Sequence, residues 1–125
     1  MSGRVRVLVV DDVDELRVLV RAALEASGRF DVVAEAANGR DAVAAAERDQ
    51  PDMVVLDVSM PVQNGMESLP QILAVAPGAK VVMLSGLEPR RLADMAFARG
   101  AVAYLEKGLE PDELVGLLLA VAQAA

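Results

Sequence analysis

The sequence predicts an α/β protein built on a doubly wound, five-stranded parallel sheet with helices on both faces. Short apolar runs alternate five times with longer segments whose apolar residues recur at helical spacing, and this alternation is typical of parallel strands joined by helical crossovers. The runs are apolar nearly throughout, as expected of strands that are covered on both faces. The length of 125 residues fits one domain spanning residues 1–125.

The first two strand–helix units occupy the first 50 residues. RVLVV at 6–10 is a short apolar run and predicts a buried strand. The segment after it has the apolar spacing of an amphipathic helix, carried by Leu16, Leu19, Val20, Ala23 and Leu24. FDVVAEA at 30–36 predicts the second strand, and Asn38 is placed to cap the helix that follows.

The remaining three units follow the same pattern. MVVL at 53–56, KVVML at 80–84 and AVAYL at 101–105 predict the third, fourth and fifth strands. Helical spacing follows each of them, in segments that contain Ile72, Ala96 and Leu118. Pro70 lies inside the first of these helices, and because an internal proline removes a helical hydrogen bond, we expect it near the first turn.

The composition excludes several kinds of chemistry. The chain has no cysteine and no histidine, so it has no disulfides, no thiol nucleophile and no imidazole base or ligand. Any bound metal must be held by oxygen, which favours Mg²⁺, Mn²⁺ or Ca²⁺.

The charge and hydropathy restrict the partners. With 12 basic and 19 acidic residues the net charge is −7, and an acidic chain without a basic stripe is a poor ligand for nucleic acid. The longest apolar stretch, at 114–122, is too short to span a membrane, and no signal peptide is evident before the first strand. We therefore expect a cytoplasmic protein that contacts neither nucleic acid nor membrane.

Polar side chains follow four of the five predicted strands at their carboxyl ends, where open α/β sheets bind ligands. They are Asp11 and Asp12 after the first strand, Asp57 after the third, Ser85 after the fourth and Lys107 after the fifth, with Tyr104 inside the fifth strand. The second strand ends in Glu35, to which we assign no role.

Three carboxylates in one cleft raise one another's pKa unless a cation neutralises them. Mg²⁺ suits such a site, because it is held by carboxylates, waters and phosphate oxygens. A carboxylate such as that of Asp57 can then attack phosphorus and form an aspartyl phosphate. Lys107 and Ser85 would hold the phosphoryl oxygens, since phosphoryl transfer requires mainly positioning and charge stabilisation.

Each of these residues also has an ordinary structural explanation. Asp11 and Asp12 are well suited to cap the first helix, and a lone Lys107 is most often a solvated charge. Ser85 is a common turn residue, and Tyr104 is most often a packing residue with a hydrated hydroxyl. The occurrence of chemically matched groups at four strand ends favours a functional site.

Taken together, these residues resemble the markers of a response regulator receiver domain, the CheY-like module of two-component signalling, whose fold is flavodoxin-like. The resemblance covers essentially the whole chain. Its markers, in chain order, are the acid pair Asp11-Asp12, Asp57 within D-V-S-M-P with Gly65 further on, Ser85, Tyr104 and Lys107.

The resemblance implies that Asp57 accepts phosphate from a histidine kinase or a phosphotransfer protein. It implies that Mg²⁺ is bound by Asp11, Asp12, Asp57 and the backbone carbonyl of Ser59. Ser85 and Tyr104 would form a switch pair that couples phosphorylation to the face made by the fourth helix, fifth strand and fifth helix. That face would act on an output domain or partner protein, and a phosphorylation-dependent homodimer stays open.

One position departs from the family. The family usually has a proline after the lysine, often with a cis peptide bond, whereas Gly108 follows Lys107 here. Because a cis bond before a non-proline residue costs about 2.5–4 kcal/mol, we predict a trans bond. The wide φ range of glycine would still let the loop direct Lys107 towards the phosphate.

Three alternatives remain at this stage. A Mg²⁺-dependent phosphohydrolase with an aspartyl nucleophile is the main one, although such enzymes usually carry an acid two residues after the nucleophile, where this chain has Ser59. A degenerate receiver would lack one of the site residues, and all are present. A nucleotide-binding domain is least favoured because the chain has neither G-x-G-x-x-G nor a P-loop. The preferred function involves no catalysis beyond autophosphorylation and autodephosphorylation of Asp57, with no output domain in the chain.

Overall fold

The computed structural model describes residues 3–60, 62–86 and 91–124, so that Pro61 of the D-V-S-M-P motif lies outside the described residues. Five strands alternate with five helices in this part of the chain. Their bounds are β1 Val5–Val10, α1 Asp14–Ala26, β2 Phe30–Ala36, α2 Gly39–Asp49, β3 Met53–Asp57, α3 Gly65–Val75, β4 Lys80–Ser85, α4 Arg91–Ala98, β5 Ala103–Glu106 and α5 Pro111–Gln123.

The strands form one parallel sheet in the order β2-β1-β3-β4-β5. The chain winds from β1 to one edge through β2 and then crosses back through β3 to the other edge. The sheet is therefore doubly wound, and the direction of winding changes between β1 and β3. The predicted fold class is confirmed.

Two apolar cores lie on opposite faces of the sheet, because successive strand residues point to opposite sides. Leu8, Val54 and Met83 belong to the core that includes residues of α2, α3 and α4. Val7, Val55 and Val82 belong to the core that includes residues of α1 and α5. Burial on both faces explains why the strand sequences are apolar nearly throughout.

The prediction that Pro70 lies near the first turn of its helix is wrong. α3 begins at Gly65, so Pro70 lies in the second turn, where its missing N–H leaves the carbonyl of Met66 without its helical donor. The Nη1 atom of Arg99, the residue after α4, donates to that carbonyl oxygen at 3.0 Å. A side chain from the neighbouring element thus supplies the hydrogen bond that proline cannot make.

Two further predictions from the sequence need correction in detail. β5 begins at Ala103 rather than at residue 101, because pairing with β4 starts at Ala103, opposite Val82, and Val102 is exposed. Leu19 has the spacing of the apolar face of α1, yet it is 61 % exposed.

Asn38 caps α2 as predicted, accepting a hydrogen bond from the N–H of Asp41 at 2.9 Å.

None of the helices in the described part of the chain is both long and apolar enough to cross a membrane.

Candidate functional site

Three carboxylates converge at the carboxyl edge of the sheet, at the point between β1 and β3 where the winding changes direction. Asp11, Asp12 and Asp57 each offer a carboxylate oxygen, and these oxygens lie within 4.8 Å of one another. Asp11 and Asp57 are buried, whereas Asp12 is exposed to solvent. Doubly wound sheets bind ligands at this kind of position.

Asp57 ends β3 and is only 1 % exposed. Its Oδ1 atom accepts a hydrogen bond from the backbone N–H of Ser59 at 3.1 Å and lies 3.0 Å from Nζ of Lys107. Its Oδ2 atom is buried and has no hydrogen-bond partner within the described residues. Because buried polar atoms are nearly always paired in proteins, this oxygen is suited to an external cation or electrophile.

The burial of Asp57 raises the pKa of its carboxyl group from 3.8 to about 6. Removal from water is the main cause, and the negative charge of Asp11 adds to it. The hydrogen bond and charge of Lys107, together with the N–H of Ser59, act in the opposite direction and leave part of the shift uncompensated. The ionised form of Asp57 is therefore destabilised in the folded protein as long as no further cation is bound.

Lys107 follows β5 and extends between two of the acids. Its Nζ atom lies 3.2 Å from Oδ2 of Asp11 and 3.0 Å from Oδ1 of Asp57. Burial alone would lower its pKa, but the hydrogen bond and charge of Asp57, with those of Asp11, outweigh burial and raise the pKa of Lys107. The lysine is thus a permanent positive charge within the acid cluster.

The loop that carries Lys107 has the geometry predicted from Gly108. The peptide bond between them is trans, as are all the bonds in the described residues. Gly108 has a φ of 92°, a conformation that favours glycine. The N–H of Lys107 donates to the carbonyl of Ser85 at 2.7 Å, which ties this loop to the end of β4.

Asp11 and Asp12 do not cap the first helix, so that alternative is wrong. The residue at the start of α1 is Val13, and no side chain caps the helix there. Instead, Oδ1 of Asp11 accepts the N–H of Val13 at 2.9 Å, and Oδ2 of Asp11 pairs with Lys107. The carboxylate of Asp12 has no hydrogen bond or ion pair with any described residue.

Gly65 allows the chain after Asp57 to fold back over the end of β3. Its N–H donates to the carbonyl of Val58 at 2.9 Å, and a Cβ at this position would lie 2.1 Å from the carbonyl oxygen of Asp57. No side chain fits in that space. The glycine noted in the sequence is therefore a requirement of close backbone packing beside the site.

Ser85 lies on β4, the strand next to β3, and Tyr104 lies on β5, at the edge of the sheet beyond β4. Ser85 ends β4 and is 3 % exposed. Tyr104 lies in β5 opposite Met83 of β4, and its hydroxyl is buried with no partner in the described part of the chain. Ser85 thus lies one strand from Asp57, and Tyr104 lies two strands away.

Sequence reasoning missed the two arginines of α1 that meet Glu35 at the end of β2. Nε of Arg17 lies 3.2 Å from Oε1 of Glu35, and Nη1 of Arg21 lies 2.7 Å from Oε2. Glu35, to which the sequence gives no role, is thus the common partner of both arginines. Two arginines four residues apart on a helix, followed by a lone acid at a strand end, were the available signal.

The donor set fits Mg²⁺. The site offers three carboxylates, one of them with a buried oxygen that no described group binds, and carboxylate oxygens are the ligands that this ion takes from proteins. The backbone carbonyl of Ser59 is the fourth expected ligand, and the hydrogen bond from Ser59 to Asp57 keeps these two residues together.

The fold and this acid site define a CheY-like α/β domain. The chain belongs to the family described as the response regulator receiver domain, whose model matches residues 7–119. It is thus a receiver domain of two-component response regulators. The phosphohydrolase alternative is not favoured by this family membership.

Curated relatives include both short and long proteins. The chain is 36 % identical over 113 residues to the chemotaxis protein CheY of Listeria monocytogenes, covering 90 % of this chain and 94 % of that protein. It is 40 % identical over 118 residues to a protein-glutamate methylesterase/protein-glutamine glutaminase of Paramagnetospirillum magneticum, covering 92 % of this chain and 31 % of that protein. The chain spans about a third of the length of the methylesterase relatives.

Solved structures agree with the family. The signal receiver domain of the putative response regulator NarL from Mycobacterium tuberculosis superposes with a TM-score of 0.92 at 29 % identity, covering 98 % of this chain and 99 % of that one. A CheX-CheY-BeF3-Mg+2 complex from Borrelia burgdorferi contains a chain that superposes with a TM-score of 0.87 at 27 % identity, covering 94 % and 88 %.

Proposed function

We propose that Asp57 is the phosphoacceptor of this receiver domain and takes its phosphoryl group from a phosphohistidine of a histidine kinase or phosphotransfer protein. The observation that carries the proposal is the buried Oδ2 atom of Asp57, which lacks a partner within the described residues. It belongs to a carboxylate that Lys107 and Ser59 hold by its other oxygen. One oxygen is fixed while the other stays available as a nucleophile.

The transfer balances without a protein base. Oδ2 of Asp57 attacks the phosphorus, an O–P bond forms, and the P–N bond of the donor breaks. The electron pair of that bond stays on the imidazole nitrogen of the donor, which then takes a proton from solvent. Lys107 holds the phosphoryl oxygens by charge, and the Ser85 hydroxyl donates to one of them.

The carboxylates of Asp11, Asp12 and Asp57, with the backbone carbonyl of Ser59, would hold Mg²⁺. When bound, this ion neutralises the negative charge that the carboxylates and the phosphoryl group bring together. In agreement with this assignment, the similar CheY structure from Borrelia burgdorferi is described as a complex with Mg+2. The chain catalyses nothing beyond phosphorylation and dephosphorylation of Asp57.

Ser85 and Tyr104 are the residues that we propose to transmit phosphorylation. Ser85 ends the strand next to Asp57, and Tyr104 lies one strand further, with a buried hydroxyl that has no described partner. Movement of Tyr104 would change the face made by α4, β5 and α5. The output domain or partner protein would be contacted there, and a phosphorylation-dependent homodimer would use the same face.

The remaining parts of the proposal concern organisation and location. We propose that residues 1–125 form one receiver domain that acts in the cytoplasm, without contact to nucleic acid or membrane. The acidic net charge of −7 supports the absence of nucleic-acid contact.

Incubation with a small phosphodonor such as acetyl phosphate, with and without Mg²⁺, tests this proposal by intact mass. We expect one phosphoryl group per chain, only with Mg²⁺, and none on the Asp57→Asn variant. Asp52→Asn is the matched control, because Asp52 is an exposed aspartate just before the opposite end of the same strand. Equal modification of the Asp57→Asn and Asp52→Asn variants would refute the assignment.

A further inference from the structure

Arg17 ends the first turn of α1, beside the acid triad of Asp11, Asp12 and Asp57, and its side chain is only 15 % exposed. Its guanidinium group makes three contacts at once. Nη1 donates to the backbone carbonyl of Asp11 at 2.5 Å, Nε pairs with Glu35 at 3.2 Å, and Nη2 pairs with Asp14. Asp14 and Glu35 therefore anchor a side chain whose remaining donor reaches the loop that carries two of the site's acids.

The contacts of Asp11 fix this residue on every side. Its N–H donates to the carbonyl of Ala36 at 3.1 Å, and its carboxylate is held by Val13 and Lys107. The hydrogen bond from Arg17 holds the backbone carbonyl of Asp11 as well. That carbonyl belongs to the peptide unit that joins Asp11 to Asp12, and because a peptide unit is planar, the bond also sets the direction in which the chain enters Asp12.

Asp12 depends on its backbone for its orientation. Its side chain is exposed, and no described residue makes a hydrogen bond or ion pair with it. The other two acids of the triad are buried and are held by Lys107. The peptide that Arg17 binds is therefore the described contact next to Asp12 that constrains where its side chain begins.

We propose that Arg17 is a positioning residue for the Mg²⁺ site, acting through the carbonyl of Asp11 to direct the carboxylate of Asp12. This inference rests on the proposed function, which assigns Mg²⁺ to the triad. Residues that hold metal ligands in place typically change metal affinity by 10- to 100-fold when they are substituted.

The sign of the effect separates positioning from simple electrostatics. A guanidinium beside the site repels a divalent cation, so loss of its charge alone would strengthen Mg²⁺ binding. Loss of positioning would weaken binding instead. Only the positioning role predicts a weaker site after a positive charge has been removed.

Titration of the full chain with Mg²⁺ by calorimetry tests the proposal. We expect the Kd to rise about tenfold in Arg17→Gln, and to rise in Arg17→Lys, which keeps the charge but carries all its donors on one nitrogen and cannot reach the three partners that the guanidinium spans. Arg21→Gln is the matched control. It removes the same charge from the same helix and also loses a contact with Glu35, but Arg21 has no contact with Asp11. Its Kd should stay within about twofold of the wild-type value.

Melting temperatures in EDTA show whether each variant is folded. If Arg17→Gln does not fold, the comparison of Arg17→Lys with Arg21→Gln decides. Wild-type affinity in the Arg17 variants, or tighter binding than in Arg21→Gln, would overturn the positioning role while leaving the proposed function intact. A wild-type chain that binds no Mg²⁺ would overturn the metal assignment itself and this inference with it.

Discussion

Replacing Asp57 with asparagine should stabilise the metal-free protein, by an amount that grows with pH. The cause is the burial of the carboxylate, which raises its pKa in the folded state to about 6 from 3.8. A carboxyl group with a raised pKa binds its proton more tightly in the folded state than in the unfolded state. The wild type therefore loses stability as the pH rises from about 4 to about 6, and asparagine, which cannot ionise, avoids this loss.

The size of the effect follows from the two pKa values. A difference of about 2 units corresponds to roughly 3 kcal/mol, reached once the pH is well above 6. At pH 4.5 the same linkage relation leaves only about 1 kcal/mol. The attraction of Lys107 is already included, because its hydrogen bond and charge contribute to the pKa of Asp57.

Urea denaturation in EDTA at pH 4.5 and pH 8 measures this difference. The free energy of unfolding of Asp57→Asn should exceed that of the wild type by about 3 kcal/mol at pH 8 and about 1 kcal/mol at pH 4.5. Asp112→Asn serves as the control, since Asp112 is an exposed acid at the start of α5. A pH-independent difference, or destabilisation of Asp57→Asn at pH 8, would refute the reasoning.

Three further substitutions test other contacts of the site. Lys107→Ala should keep or tighten Mg²⁺ binding in calorimetry, because it removes a cation from the site. The same variant should be phosphorylated at least tenfold more slowly, as followed by intact mass. A large loss of Mg²⁺ affinity would contradict this division of roles. Tyr104→Phe should raise the unfolding free energy by about 1 kcal/mol, because it removes a buried hydroxyl without a described partner, and destabilisation in urea would mean that the hydroxyl is bonded. Gly65→Ala should lower the free energy of unfolding by at least about 2 kcal/mol, because its Cβ would collide with the Asp57 carbonyl. Gly116→Ala in α5, which has open space around it, should instead raise it by about 0.5–1 kcal/mol. Equal melting temperatures of the two variants would contradict the packing argument.

The fold could be predicted from the sequence because its signals are local and repeated. Apolar runs such as 53–56 and 80–84, each followed by helical spacing, define the strand–helix alternation without knowledge of any tertiary contact. The parallel arrangement then follows from the connections. The acids at the ends of β1 and β3 could be placed together for the same reason, since parallel strands end at one edge.

What the sequence could not show depends on contacts between distant segments. The role of Glu35 needs the arginines of α1 to lie over the end of β2, and that placement is set by helix packing rather than by spacing along the chain. The start of β5 depends on where β4 offers a partner, so that residues 101 and 102 have strand-like composition without strand pairing. The trans bond before Gly108 could be predicted, because it depends on the local preferences of the peptide bond and of glycine and not on distant contacts.

The hydrogen bond between Arg99 and the carbonyl of Met66 makes the effects of two distant positions interdependent. With Pro70 in place, loss of Arg99 leaves a carbonyl in α3 without its donor. With alanine at position 70, a backbone N–H would compete for the same carbonyl, and Arg99 would become dispensable. The two positions should therefore show epistasis: among related sequences, a proline at 70 restricts what position 99 can become, and the order in which substitutions arise determines which of them are tolerated.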